Sequence, residues 1–495
     1  MSLFSSIKDL SKHSVIYTIA TIIQRLQGLI MLPIYTDTTI VTTKAEYGDY
    51  ALVYTFIAFM NVVYLYGMDS AFMRYYFLGK SKKETVIVTS FTLLIVSSFF
   101  ISAIVYFFSE SISDLVFNGT GYKFFIEIAA GILFFDTLSN LPFLLLRVEE
   151  RSISFTSIRI GRFIFELLLN LYFVLYLKLG VKGILYANII AATTNFFLFV
   201  PYLYSRLRGR FNFLQAGQLV SFGLPMLPNG LAFLIVEVSD RFLMPRLLDK
   251  DILAVYSANY RLGTVMLVLV SAFRTAWQPY FLKIATDVNA KKIYSRVLTY
   301  FVLTMGMVVI AGIFLVTYVI HIPIWPGKTL VGPDYWEGVS IVPLILISYF
   351  FYGMYVNFTV GIYIRKKSHL MFIFTGLAAL TNVISNLFLM PSLGMMGAGI
   401  ATLLAYFIMM VSIFLVNQKI YPITYEYGRV GVILAAILII TVISYTLPLS
   451  LIVKMIILMA VPLLLWASNY FKNDEKVFIL NTLRTFVGSS RQNFK

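Results

Sequence analysis

The chain has no cysteine, only three histidines, few charged residues and fewer acids than bases, and each scarcity removes a class of function. Without thiols there can be neither a disulfide nor a thiolate metal site. His13, His321 and His369 are scattered and provide no metal-ligand spacing. "WPGKTL" at 325–330 contains Gly-Lys-Thr, but no glycine precedes it at the spacing a phosphate-binding loop requires, so ATP hydrolysis by this chain is excluded. No loop between apolar blocks exceeds about 20 residues, near the upper end of ordinary connections. Membrane glycosyltransferases, polymerases and ligases carry their carboxylates on larger extramembrane segments. No cofactor is expected. The first apolar block is too long for a signal h-region and lacks a small-residue cleavage site, so it reads as a retained helix.

Apolar residues dominate what remains. Of 495 residues, 59% are hydrophobic and 13% charged, with mean hydropathy +0.85. A soluble domain carries about twice that charge. The apolar residues come in about 14 blocks of some 20 residues, the length a helix needs to cross ~30 Å of hydrocarbon. They lie near 14–36, 48–67, 86–108, 124–146, 158–177, 183–204, 219–239, 254–274, 296–320, 339–359, 370–390, 397–417, 429–447 and 452–470. β-Barrel strands are excluded, since they would be about 10 residues of strict alternation. The sequence therefore predicts an all-α integral membrane protein with about 14 spans.

The formal net charge is +16, but its distribution argues against nucleic acid. Lys8 and Lys12, Arg74 with Lys80, Lys82 and Lys83, Arg147 and Arg151, Arg206 with Arg208 and Arg210, Lys283 with Lys291 and Lys292, and Arg365 with Lys366 and Lys367 occupy alternate loops. The basic tail from Lys472 completes the series. This excess, roughly three to one over the intervening loops, follows the positive-inside rule and places both termini in the cytoplasm. It also attracts anionic membrane lipids.

The chain reads as though written twice. "LGVKGILYAN" at 179 and "LGMMGAGIAT" at 393 share Leu-Gly-x-x-Gly, 214 residues apart. "RSIS" at 151 and "RKKS" at 365 repeat the same offset. "AEYGDYALVY" at 45 and "AVYSANYRLG" at 254 match at an offset of 209, as do Lys82-Lys83 and Lys291-Lys292. Six crossings return a chain to the same side, so the halves are expected to form two pseudo-symmetric six-helix bundles with a substrate site at their interface. The expected division is an N-terminal lobe at 1–212, a C-terminal lobe at 213–422, two further helices at 423–471 and a basic cytoplasmic tail at 472–495.

An ionisable side chain near the bilayer centre costs ~2.5–3.5 kcal/mol on insertion scales, so each needs a reason. Arg25 lies halfway along the first span and Arg261 in the eighth, neither with an acidic partner nearby in sequence. Such a cation implies a watery cavity or an anionic ligand, and arginine suits bidentate phosphate contact. Arg162 and Glu166 stand four apart on one helical face, where they either neutralise each other or meet substrate. Asp69 and Arg74 close the second span, where interfacial anchoring competes with substrate contact. Asp136 in the fourth span, and Glu237, Asp240 and Arg241 ending the seventh, are candidates for gating or ion coupling. "FGLPMLPNG" at 222–230 places Pro225 and Pro228 at the start of the seventh span, where they either bend the helix or simply begin it.

The stretch "VSDRFLMPRLLDKDILAVYSANYRLGTVMLVLVSAFRTAWQPY" resembles the polysaccharide-transporter family, the O-antigen and exopolysaccharide flippases. It carries Ser239–Phe242 as Ser-Asp-Arg-Phe, Tyr256 to Arg261 as Tyr-Ser-x-x-Tyr-Arg, and Trp277 with Pro279. "LPIYTDTTIVTTKAEYGDYAL", "GMDSAFMRYYF" and the two Leu-Gly-x-x-Gly turns also fit. The resemblance implies the multidrug/oligosaccharidyl-lipid/polysaccharide exporter fold, with alternating access around a central cavity. It also implies a substrate, an oligosaccharide on undecaprenyl pyrophosphate, moved from the cytoplasmic to the outer leaflet of a bacterial inner membrane. Related lipid II flippases use cavity arginines on helices 1 and 8, which suggests the same roles for Arg25 and Arg261.

The expected activity is thus lipid-linked glycan flipping for surface polysaccharide assembly, such as O-antigen, lipopolysaccharide or exopolysaccharide. Expected partners are membrane lipids, H⁺ or Na⁺ as coupling ion, and glycan polymerase machinery. A multidrug cation antiporter of the same superfamily would want an acidic cavity, which arginines with no acid nearby in the sequence do not suit. A membrane glycan polymerase or ligase would depend on outer-loop acids such as Asp334 and Glu337.

Overall fold

A computed structural model describes residues 29–477 except 38, 39, 41, 42, 80, 118, 120, 366, 469 and 474. Arg25, and with it most of the first span, lies outside the described residues.

The order of elements is α1 (Leu32–Tyr35), α2 (Lys44–Leu65), α3 (Met68–Leu78), α4 (Lys83–Phe107), α5 (Ser109–Phe117), α6 (Lys123–Val148), α7 (Ser152–Asn170), α8 (Gly180–Arg206), α9 (Phe213–Gly223) and α10 (Leu227–Leu247). It continues with α11 (Lys250–Lys283), α12 (Ala290–Ile320), the strands β1 (Pro323–Trp325) and β2 (Lys328–Thr329), α13 (Val342–Phe358), α14 (Val360–Ile364), α15 (Met371–Leu393), α16 (Met395–Ile420), α17 (Tyr427–Thr446) and α18 (Leu451–Ala467). Expected spans two to fourteen each coincide with helix. Among the described residues, eleven helices are long and apolar enough to cross a bilayer. α7, which carries Arg159, Arg162 and Glu166, is not one of them, and α18, at 17 residues, is shorter than any of the eleven. Large apolar side chains such as Phe107, Phe197, Leu198 and Phe388 point outward, the arrangement of a protein whose solvent is hydrocarbon.

The chain divides into two compact units. The first comprises residues up to Tyr294 together with Val316–Ile423. In it α2 packs on α6, α10 and α11, α8 packs on α6 and α7, and α16 packs on α13 and α15. A cluster including Phe72, Phe91, Leu141, Phe155 and Phe199 fills the space among α3, α4, α6, α7 and α8. The second unit comprises Ser295–Leu315 and the chain from Thr424 onward. There Arg429 grips Glu426 at 2.8 Å and Glu475 at 2.7 Å, and Tyr300 donates to Glu475 at 2.6 Å. This ties the start of α17 and the segment after α18 to the middle of α12.

Local chemistry explains the helix starts. Thr43 caps α2 by accepting from the Glu46 amide at 3.1 Å, and Asp249 caps α11 by accepting from the Ile252 amide at 2.6 Å. The "FGLPMLPNG" segment contains a 3₁₀ turn, Leu224–Met226, between α9 and α10. The "WPGKTL" segment is the β1–β2 hairpin, and its Lys328 pairs with Asp37 at 2.6 Å.

The first glycines of the two Leu-Gly-x-x-Gly turns both have positive φ. Gly180 has φ 53° and Gly394 φ 59°, the left-handed region that glycine enters without steric cost. At Gly180 the Glu46 carboxylate lies where a Cβ would stand, and it accepts the Val181 amide at 3.0 Å. Gly180→Ala should therefore lose about 2 kcal/mol from strained backbone and displaced carboxylate, measured as a lower thermal midpoint in detergent.

Candidate functional site

Arg261 is partly buried in α11, and the faces of two α2 tyrosines surround it. Its guanidinium carbon is 5.6 Å from the Tyr47 ring centroid and 4.9 Å from that of Tyr50. Tyr50 in turn packs 5.1 Å from Tyr35 and 4.6 Å from Tyr54, centroid to centroid. The spacing Tyr47, Tyr50, Tyr54 is i, i+3, i+7, which puts all three on one face of a helix. Polar bonds fix the cage from outside. Tyr35 Oη donates to Asn170 Oδ1 at 2.9 Å, and Asn188 Nδ2 donates to Tyr54 Oη at 2.8 Å. α1 and α2 thus supply the rings of one aromatic chamber around the α11 guanidinium, and α7 and α8 brace it.

Next to it lies an ion pair that the sequence reading did not join. Arg162 Nη1 contacts Asp136 Oδ1 at 2.7 Å, linking α7 to α6. Glu166, four residues on and buried, stays within electrostatic reach of Arg162 as well as of Tyr35 and Tyr54. The local Arg162–Glu166 neutralisation expected from spacing is therefore shared with a carboxylate from the neighbouring helix.

The α10 acids occupy a second tyrosine-lined region. Glu237 accepts from Tyr349 Oη at 3.0 Å and from Tyr406 Oη. Tyr349 and Tyr260 share a hydroxyl bond of 2.9 Å. Asp240 is buried, accepts from Tyr256 Oη, and also accepts the Arg241 amide at 2.8 Å. Arg241 lies 4.5 Å over the Tyr260 ring. α10 runs on to Leu247, so Asp240 and Arg241 are well inside the helix and away from its end. Tyr47 is within electrostatic reach of both Arg241 and Arg261, which joins the two tyrosine-lined regions.

Asp69 and Arg74 stand apart from this constellation. Both are exposed on α3, and Arg74 covers the Phe222 ring at 4.7 Å. Arg274, absent from the sequence candidates, donates to Tyr352 Oη at 3.0 Å. Among the described residues, no group of His, Asp and Glu side chains is arranged to hold a metal ion.

The tyrosines are what sequence reasoning missed. Their signal was present in the i, i+3, i+7 spacing of "EYGDYALVY" and the i, i+4 pair Tyr256 and Tyr260, directly before Arg261. Phenols offer flat apolar faces together with hydroxyls that donate and accept. With guanidinium groups among them, the chamber can take a ligand that is anionic at one end and polyhydroxylated at the other.

A sequence profile described as polysaccharide biosynthesis protein matches residues 40–323. No curated protein matches the sequence. Among solved structures, the lipid II flippase MurJ in an inward closed conformation aligns with TM-score 0.72 at 17% identity, covering 92% of this chain and 99% of that one. An outward-facing multidrug resistance MATE transporter of the MOP superfamily aligns with TM-score 0.60 at 14% identity, covering 86% and 96%. A MOP superfamily transporter from Pyrococcus furiosus aligns with TM-score 0.58 at 13% identity, with coverages of 86% and 96%. At these identities the likeness establishes a shared fold.

Proposed function

Because the chain belongs to the polysaccharide biosynthesis protein family, we propose that it carries a lipid-linked oligosaccharide across the bilayer by alternating access. The substrate would be a glycan on undecaprenyl pyrophosphate, moved from the cytoplasmic to the outer leaflet of a bacterial inner membrane, with both termini cytoplasmic. The observation that carries this reading is the tyrosine-caged guanidinium of Arg261.

In this mechanism Arg261 binds the diphosphate through its fork of N–H donors, and Arg241 adds a second positive charge within reach of the same ring. Arg25, outside the described residues, is a further candidate cation. Sugar rings lie on the faces of Tyr47, Tyr50 and Tyr54 while the polyprenyl chain stays in lipid. The N-terminal lobe at 1–212 and the C-terminal lobe at 213–422 would rock around this point. Moving a net −2 head group outward gains roughly 4–5 kcal/mol per 100 mV of inside-negative potential. H⁺ or Na⁺ exchange through Asp136, Glu237 or Asp240 would add to that drive.

The test is deletion of the gene followed by fractionation of lipid-linked glycans. The expected result is loss of one surface polysaccharide with its lipid-linked precursor accumulating on the cytoplasmic side. A deletion strain with unchanged surface glycans and no accumulated precursor rejects the proposal. Glu237, gripped by Tyr349 and Tyr406, favours a second reading as a multidrug cation antiporter. Drug export in a pump-deficient host that depends on Glu237 would select it.

A further inference from the structure

Outside the central chamber, the junction between α6 and α7 gathers arginines on an aromatic platform. Phe143 and Phe155 are both buried and meet edge to face, with centroids 5.4 Å apart. Arg159 lies 4.7 Å from each ring centroid, and Arg147 lies 5.5 Å from that of Phe155. One fixed ring therefore carries two guanidinium groups, one from each helix. Arg151, which precedes α7, covers Tyr202 at 5.7 Å. Two nearby carboxylates have closer partners: Glu149 is bonded by Arg206 Nε at 2.7 Å and Asp136 by Arg162 Nη1 at 2.7 Å, with Asp136 also within electrostatic reach of Arg159. Glu150 is exposed, and its φ of 58° makes the sharp turn that brings the start of α7 back against the end of α6.

Like charges are brought together here at an electrostatic cost, on rings packed too tightly to move away. Stacking occupies the face of a guanidinium and leaves the in-plane N–H edge, which is the edge that takes phosphate oxygens. Arg147 stands in the last turn of an apolar, span-length helix, and basic residues at the ends of such helices meet the headgroup region. We propose that Arg147 and Arg159 form a binding site for the phosphate of a lipid headgroup, separate from the Arg261 chamber. The headgroup belongs either to an ordinary anionic phospholipid or to a polyprenyl diphosphate. The second source rests on the transport reading above and would make this the place where substrate first docks.

The experiment uses the full-length protein in phosphatidylcholine nanodiscs doped with either phosphatidylglycerol or a polyprenyl pyrophosphate, with bound lipid counted by native mass spectrometry. Arg147→Gln with Arg159→Gln should weaken retention of the phosphate lipid at least about tenfold. Lys123→Gln, at the opposite end of α6, should leave it unchanged. Arg261→Ala should retain binding here even if it abolishes transport, which separates this site from the proposed function. Preference for the pyrophosphate lipid assigns the site to substrate docking, and equal or better retention of phosphatidylglycerol assigns it to a structural lipid. If the double variant fails to fold, Arg147→Gln alone decides, because this side chain is exposed; about a threefold loss is expected for removing one of two charges. Wild-type retention of both lipids in a folded double variant, or in folded Arg147→Gln where only that can be made, overturns the proposal.

Discussion

Arg261→Ala is expected to lower transport of a lipid-linked diphosphate at least about a hundredfold, because two charge-assisted hydrogen bonds at about 1.5–3 kcal/mol each are lost. Flipping by protein reconstituted in liposomes is the measurement. The change also removes a guanidinium from two aromatic faces, so the thermal midpoint should fall by the equivalent of about 1–2 kcal/mol while the chain stays folded. Arg261→Lys separates the effects: an ammonium keeps the charge but not the planar fork, so an intermediate loss of about tenfold is expected. Tyr50→Phe keeps the ring but removes a hydroxyl that accepts a hydrogen bond from Arg261, so stability should fall by about 1–2 kcal/mol while transport stays within a fewfold of wild type. Flipping at the wild-type rate in both Arg261→Ala and Arg25→Ala would remove the cationic site from the mechanism.

Arg162→Ala should cost about 3 kcal/mol of stability, since it strands the Asp136 carboxylate between two helices in a low-dielectric region. Asp136→Asn combined with Arg162→Gln removes both charges and should recover most of that loss, giving a coupling energy in a double-mutant cycle. The same variants distinguish a structural pair from an ion-coupling carboxylate. A structural role predicts that the neutral double variant transports normally once folded. A coupling role predicts that Asp136→Asn stops transport in a fully folded protein.

One matching pair of turns was legible. Gly180 and Gly394, found through a 214-residue offset, both adopt the positive φ that explains why glycine stands there. The candidate cations were legible too, because a charge inside an apolar block stands out without any knowledge of packing. Their partners were not. Arg162 and Glu166 at i, i+4 suggested either mutual neutralisation or substrate contact, yet Arg162 reaches across to Asp136 on α6. Asp240 looked close to the end of the seventh span, but α10 runs on to Leu247 and holds it among tyrosines. The Arg147–Phe155–Arg159 platform has no sequence signature, because its members come from two helices joined by a tight turn.

The sequence by itself determined that this is a helical membrane protein, where its apolar segments lie and which charges need explaining. Block length and local charge are properties of consecutive residues, and hydrocarbon imposes both directly. Only the tertiary structure decided which faces of those helices meet. A helix that is apolar all round carries little pattern to distinguish its lipid side from its protein side, so the rotation that turns Tyr47, Tyr50 and Arg261 toward one another is set by packing between helices far apart in the chain.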